Sequence, residues 1–224
     1  MRQMFWHWAN IKILFKKDLS VEARHRQGIT TACMFAVVAL MIVTIAVGGE
    51  PVTPKIRGGL LWVVIFFAAL AGLDRSFTRE KDQGTLWSLY MFAEAQAVLV
   101  GKFLYNIVLL LCLLIVLLPL YILFMDLEIA GPEEFFLVLL IGSIGIALVL
   151  TFTAAITAMA GGRSSLFCIV SFPLLLPLFM LVIQLTEGAI VSPIVDWQQL
   201  SVLLAYDGAV AGIASILFDY LWEV

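Results

Sequence analysis

Apolar residues in this chain come in long unbroken runs, not in the short stretches that line a soluble core. Six runs stand out: 29–48, 59–73, 97–125, 135–160, 166–185 and 200–222. A bilayer core of about 30 Å needs roughly 20 apolar residues in a helix. Five runs meet that length. The second is short, and it is expected to continue a turn at each end, with Arg57 snorkelling outward. Lipid offers no partner to an open strand edge, so the spans are read as helices. The third and fourth are long enough to tilt or to emerge from the membrane.

Before the first run the pattern changes. Met4, Trp8, Ile11, Phe15 and Leu19 recur every three or four residues, which predicts one apolar helix face. Arg2, Lys12, Lys16, Lys17, Arg24 and Arg26 surround that stripe, and Phe5, Trp6 and Trp8 supply aromatic anchors. Residues 1–28 therefore read as an amphipathic helix in the membrane interface, not as a signal peptide. Residues 29–224 read as one all-α membrane domain of six transmembrane helices, and no internal repeat stands out. Gly48, Gly49 and Pro51, then Gly131-Pro132, then Ser192-Pro193 break the short connections on one side.

Composition agrees: 63% of the 224 residues are hydrophobic and 13% charged, against about 25% charged in a soluble domain. The net charge of −3 says little, but its distribution says more. With the N-terminus in the cytoplasm, eleven of the 13 Lys and Arg fall on that side, leaving only Lys55 and Arg57 opposite. That asymmetry orients a membrane protein. Glu50, Asp126, Glu128, Glu133, Glu134, Glu187 and Asp196 fall on the outer side, and both termini are expected in the cytoplasm.

Motifs for chemistry are missing. His7 and His25, eighteen residues apart, make a weak metal or haem pair, and no GxSxG or HExxH occurs. Gly101-Lys102 is followed by Phe103, and position 96 is Gln, so there is no P-loop. Cys33, Cys112 and Cys168 lie within apolar runs without CxxC spacing and read as small core residues. No catalytic, cofactor or metal residues are assigned, and no nucleic-acid partner is implied.

The most unusual stretch is the cytoplasmic connection between spans two and three. Seven of residues 73–86 are charged or amide-bearing, with alternating signs. Gly84 can end one short helix and Thr85 begin another, whose apolar side is Leu86, Trp87, Leu89, Tyr90 and Phe92. Two short helices beside a membrane suit docking of a cytoplasmic partner. Within the spans, Lys102 and Asn106 sit a turn apart, and Asp207 is the deepest acid. A charge at that depth must face protein or water. Gly142, Gly145, Gly208 and Gly212 permit close helix packing, and Pro119, Pro173 and Pro177 are expected to kink their helices.

This loop resembles that of permease subunits of type-2 ABC exporters. It is most similar to cytochrome c maturation protein B, the haem exporter permease family CcmB. Leu73, Asp74, Arg75, Phe77, Glu80, Gly84, Thr85 and Leu86 carry the likeness. Val100-Gly101-Lys102, Gly161-Gly162-Arg163, Pro173 and Pro177 extend it over nearly the whole chain.

The resemblance implies a non-catalytic subunit in a bacterial inner membrane. A second copy and a separate ABC ATPase subunit, which binds the ATP, would be partners, beside a haem-handling membrane protein and a periplasmic haem chaperone. Haem would be a handled ligand, not a firmly bound cofactor. The coupling loop, about 74–96, would receive motion through Asp74, Arg75, Phe77, Glu80, Gly84, Thr85 and Leu86, with Gly162 and Arg163 in a second cytoplasmic loop. Two alternatives stay open: a type-2 permease for a lipid or drug, and a membrane scaffold that moves nothing.

Overall fold

The computed structural model describes residues 2–73, 77, 80, 84, 91, 93–159 and 164–222, with side chains from residue 10 and, after the gap at 160–163, from 167. Among these, seven long helices run in order: α1 (Arg2–His25), α2 (Gln27–Val47), α3 (Pro54–Leu73), α4 (Ala95–Met125), α5 (Pro132–Met159), α6 (Ser164–Val191) and α7 (Trp197–Trp222). No strand occurs among the described residues. Helices α2 to α7 are each long and apolar enough to cross a membrane.

The six spans fall where the hydrophobic runs predict, with longer ends. The short second run gains a turn and more at its start, as α3 begins at Pro54. Arg57 is tied to the neighbouring span there, since its Nη1 donates to the Asp126 carbonyl at 2.8 Å. Tyr121 of α4 donates its hydroxyl to the Arg57 carbonyl at 2.6 Å. Helix α6 runs on to Val191, and both α4 and α6 stay helical through their prolines.

Helix α5 is the axis of the bundle: 67% of its span is buried, against 17% of α2. Small residues explain the centre. A Cβ on Gly142 would lie 2.4 Å from the Trp62 ring, so the glycine lets the fully buried Trp62 of α3 lie against α5. The Trp62 indole then donates to Thr186 Oγ1 of α6 at 2.8 Å. Thr153 and Ser171 bond between α5 and α6 at 2.8 Å. With apolar lipid outside, such contacts hold helices together where the hydrophobic effect does not. Met34, Val38, Ile42 and Ile45 project from α2, and Ile169, Phe172, Leu176 and Met180 from α6. Apolar patches this extensive are what a lipid-facing surface requires. Cys33 is half-buried and packs against the core, but Cys112 and Cys168 lie on this outer surface and are not the core residues that their apolar surroundings suggest.

At the end of the bundle away from α1, the chain between α4 and α5 covers the end of α6. The amides of Ala130 and Gly131 donate to the Ile190 and Ala189 carbonyls at 3.3 and 2.8 Å. The last carbonyls of a helix have no partner within it, and these contacts supply one.

Candidate functional site

At the other end, α1, the α3–α4 connection, α4 and α7 converge on a cluster of charge. Helix α1 positions its half by spacing: Ile11, Leu14, Phe15, Asp18 and Glu22 share the packed face, while Leu19 is exposed. The apolar stripe thus continues into two acids. Gly101 of α4 allows the approach, since a Cβ there would sit 3.2 Å from Leu14 Cβ.

Lys102 is the centre. It is 3% exposed, seven residues into an apolar helix. Its Nζ lies 2.7 Å from Glu80 Oε1 of the connection and 3.0 Å from Asp18 Oδ2 of α1. Lys17 closes the ring, 2.5 Å from Glu80 Oε1 and 3.4 Å from Asp18 Oδ1. Among the described residues, two ammonium and two carboxylate groups balance. Lys102 therefore does not snorkel to water as a lone lysine would; buried acids satisfy it inside the protein.

Burial by itself would push the Glu80 carboxyl up, but Lys102 and then Lys17 outweigh it and hold the group below the usual range. Burial likewise works against the Lys17 ammonium, while Glu80 and Asp18 hold it above its ordinary value. Ionised partners in a dry setting are costly to separate, because either one left alone is an uncompensated charge.

An aromatic stack completes the site. The Lys102 ammonium lies 5.6 Å from the ring centroid of Phe77, within cation–π range. Phe77, itself buried, is 6.2 Å from the Phe218 ring of α7, which is 5.2 Å from the Trp222 ring. Trp222 Nε1 donates to the Ala93 carbonyl at 3.3 Å, and Gln96 Nε2 to the Ser215 carbonyl at 2.9 Å. The α4 end of the connection is thereby fastened to α7.

A second joint sets the angle between α1 and α2. The chain turns at Arg26, whose φ of 52° is left-handed. Glu22 Oε1 accepts the Ile29 amide at 2.9 Å in the first turn of α2, and Oε2 accepts the Tyr105 hydroxyl at 3.1 Å. A carboxylate beside a helix N-terminus meets both the orphan amides and the positive dipole end.

The remaining predicted residues are distributed elsewhere. Asn106 is fully buried a turn beyond Lys102, but it donates to Thr151 Oγ1 of α5 at 2.8 Å. Asp207 is far from the cluster, 6% exposed on α7, and neither of its oxygens has a hydrogen-bond partner among the described residues. Its carboxyl fills the space left by Gly145, where a Cβ would lie 2.4 Å from Oδ1. Gly84 is exposed with φ of 69°, a left-handed turn of the sort glycine favours. Asp74, Arg75, Thr85, Leu86, Gly162 and Arg163 lie outside the described residues. Among those described, no three His, Cys, Asp or Glu side chains group as metal ligands.

Ionic and aromatic contacts thus clamp the connection to three helices, α1, α4 and α7. The sequence profile described as "CcmB protein" matches residues 9–219, nearly the whole chain. The chain belongs to the CcmB family. With its six long apolar helices, this CcmB-family chain is a multi-pass membrane protein. Among individual proteins, it is 27% identical over 89 residues to the heme exporter protein B of Escherichia coli strain K12. The same identity and length hold for the heme exporter protein B of Shigella flexneri. In both cases the matched stretch spans 39% of this chain and 38% of the relative.

Proposed function

We propose that this protein is the permease subunit of an ABC-type haem exporter complex in a bacterial inner membrane, serving cytochrome c biogenesis. The α1 end faces the cytoplasm, a reading supported by the sequence, in which eleven of 13 basic residues lie in the segments assigned to that side. A separate ATPase subunit docks on the connection between α3 and α4, and two copies of each chain assemble. Nucleotide-driven closure of the ATPase pair pushes on the connection. Because Glu80 is bound to Lys17 and Lys102, and Phe77 lies against Phe218, the push reaches α1, α4 and α7 together. The stroke is used to deliver haem, or to release a haem-loaded periplasmic chaperone from a haem-handling membrane partner. The chain itself supplies no catalytic group.

The observation that carries this reading is the burial of Glu80, an acid from the connection, between two lysines of two different helices. A passive linker has no need of such a clamp. Membership of the CcmB family supports the haem process. The test is complementation in a bacterium lacking its own family member, with c-type cytochromes measured by haem stain and the ATPase subunit by co-purification. The wild-type chain is expected to restore both. Glu80→Lys is expected to insert normally yet yield neither cytochrome nor ATPase-dependent activity. Full assembly with Glu80→Lys would remove the coupling role. Rescue of a lipid or drug export defect, with none of cytochrome assembly, would favour the other type-2 permease reading.

A further inference from the structure

The end of the bundle opposite the charged cluster carries a feature that the coupling account does not use. A cavity of about 450 Å³ opens between the end of α6 and the start of α7. That is within the range of about 300–1,000 Å³ typical of small-molecule sites. Its polar lining is of two kinds. Glu134 and Asp196 present carboxylates, while Gln184, Gln199 and Trp197 carry N–H donors beside the Ser192 hydroxyl, and no basic residue is among the described residues that line it.

Glu134 is the unexplained group. It is 2% exposed in the first turn of α5. Its Oε1 accepts the Asp196 amide at 3.1 Å, yet Oε2 has no hydrogen-bond partner among the described residues. A buried carboxylate oxygen without a donor is costly. Asp196 is itself held in place, since its Oδ1 caps α7 by accepting the amides of Gln198 and Gln199 at 3.1 and 3.0 Å. Gly188 leaves the wall open, with nothing within 4 Å of an added Cβ.

We propose that this cavity binds the headgroup of a zwitterionic phospholipid with a primary ammonium, of the phosphatidylethanolamine type. The ammonium donates to Glu134 Oε2, and the phosphate accepts from the glutamine and indole N–H groups. The position fits a lipid. Gln184 lies seven residues before the end of α6 at Val191, about 10 Å along a helix, so the cavity spans the boundary between headgroups and acyl chains. Trp197, which is 68% exposed, stands beside it, as tryptophans do at that boundary. A basic side chain from another protein would satisfy the carboxylates but leave the three donors unused. The inference is independent of what the protein transports.

The test uses the full chain, delipidated in detergent and titrated with phosphatidylethanolamine, phosphatidylcholine or phosphatidylglycerol, with bound lipid counted by native mass spectrometry. Phosphatidylethanolamine is expected to be held about tenfold more tightly than either of the others, as a charge-assisted hydrogen bond to a buried acid implies. Glu134→Gln keeps an acceptor for the Asp196 amide and is expected to bring the three lipids within about twofold of one another. Gly188→Leu fills the cavity without touching Glu134 and is expected to abolish the preference. Equal binding of all three lipids by the wild type would overturn the proposal. So would an unchanged preference in both variants, or lipid indifference combined with tight binding of a lysine-rich peptide.

Discussion

Replacing Lys102 by Met tests the clamp most sharply, because the unbranched apolar stem is largely kept while the ammonium is lost. The Lys102 side chain is 4% exposed, and it holds two carboxylates, Glu80 and Asp18, exposed by 6% and 11%. Among the four described groups, its loss leaves one unbalanced negative charge at a dry site. Breaking a buried pair this way costs about 3–5 kcal/mol. Lys17 remains, 2.5 Å from Glu80, and offsets part of this loss, by about 0.2–1 kcal/mol for a side chain that is 43% exposed. The lower end is therefore expected, about 3 kcal/mol, or roughly a 100-fold shift in the opening equilibrium. The assay is hydrogen exchange by mass spectrometry on the chain in lipid nanodiscs. Amides of α1 from 11 to 22, and those around 77–80, should exchange roughly 100-fold faster, while the α5 core stays as it was. Adding Glu80→Gln to Lys102→Met rebalances the charge and should recover about tenfold of the loss, since a neutral buried group is tolerated where a lone ion is not. Exchange of α1 within threefold of wild type, or a double variant worse than the single, would refute the electrostatic argument.

Further expectations follow from the same contacts. Glu80 sits below its ordinary value of 4.5, so its contribution to clamping is fully present above that pH and is lost as pH falls through its lower folded value. Lys17 is raised above 10.5, so its share persists below that pH and is lost only as pH rises past its folded value. Protection of α1 should thus stay level from about pH 5 to 10 and fall at acid pH, and a step near neutrality would contradict the assignment. Glu22→Ala removes the acceptor for Ile29 N and the Tyr105 hydroxyl. It should cost about 1–2 kcal/mol in detergent unfolding, with Tyr105→Phe losing less; equal stability of Glu22→Ala would remove the joint. Gly145→Ala brings a methyl 2.4 Å from Asp207 Oδ1, an overpacking expected to cost about 1–3 kcal/mol. Asp207→Ala should rescue it in a double-mutant cycle, and additive losses would show that the two sites do not touch.

The six spans were legible because lipid leaves a helix no choice: a run of apolar residues of sufficient length has one way to satisfy its backbone. Helix ends are less legible, since the last turn and a half of α6 is covered by the 130–131 backbone, far away in sequence. The loop acid Glu80 and the intramembrane Lys102 both stood out as charge in an apolar setting, but nothing in their spacing says that they meet. Asp18 and Glu22 are masked in the sequence by six basic neighbours. Their signal was present in the i+3/i+4 spacing from Ile11 through Phe15, which puts both acids on the packed face in place of Leu19. Asn106 follows Lys102 by one turn, yet its partner is Thr151; a helix places residues on a face, and only the neighbouring helix decides what they touch.

The claim that an ATPase grips this end of the bundle is tested most directly by photo-crosslinking from Met91, which is 79% exposed in the connection before α4. A photoreactive residue at position 91, in membranes containing the ATPase subunit, should give an adduct with that subunit whose yield changes on adding ATP. Position 91 reached only by a membrane-impermeant reagent on the outer side, with no ATPase adduct, would contradict the account.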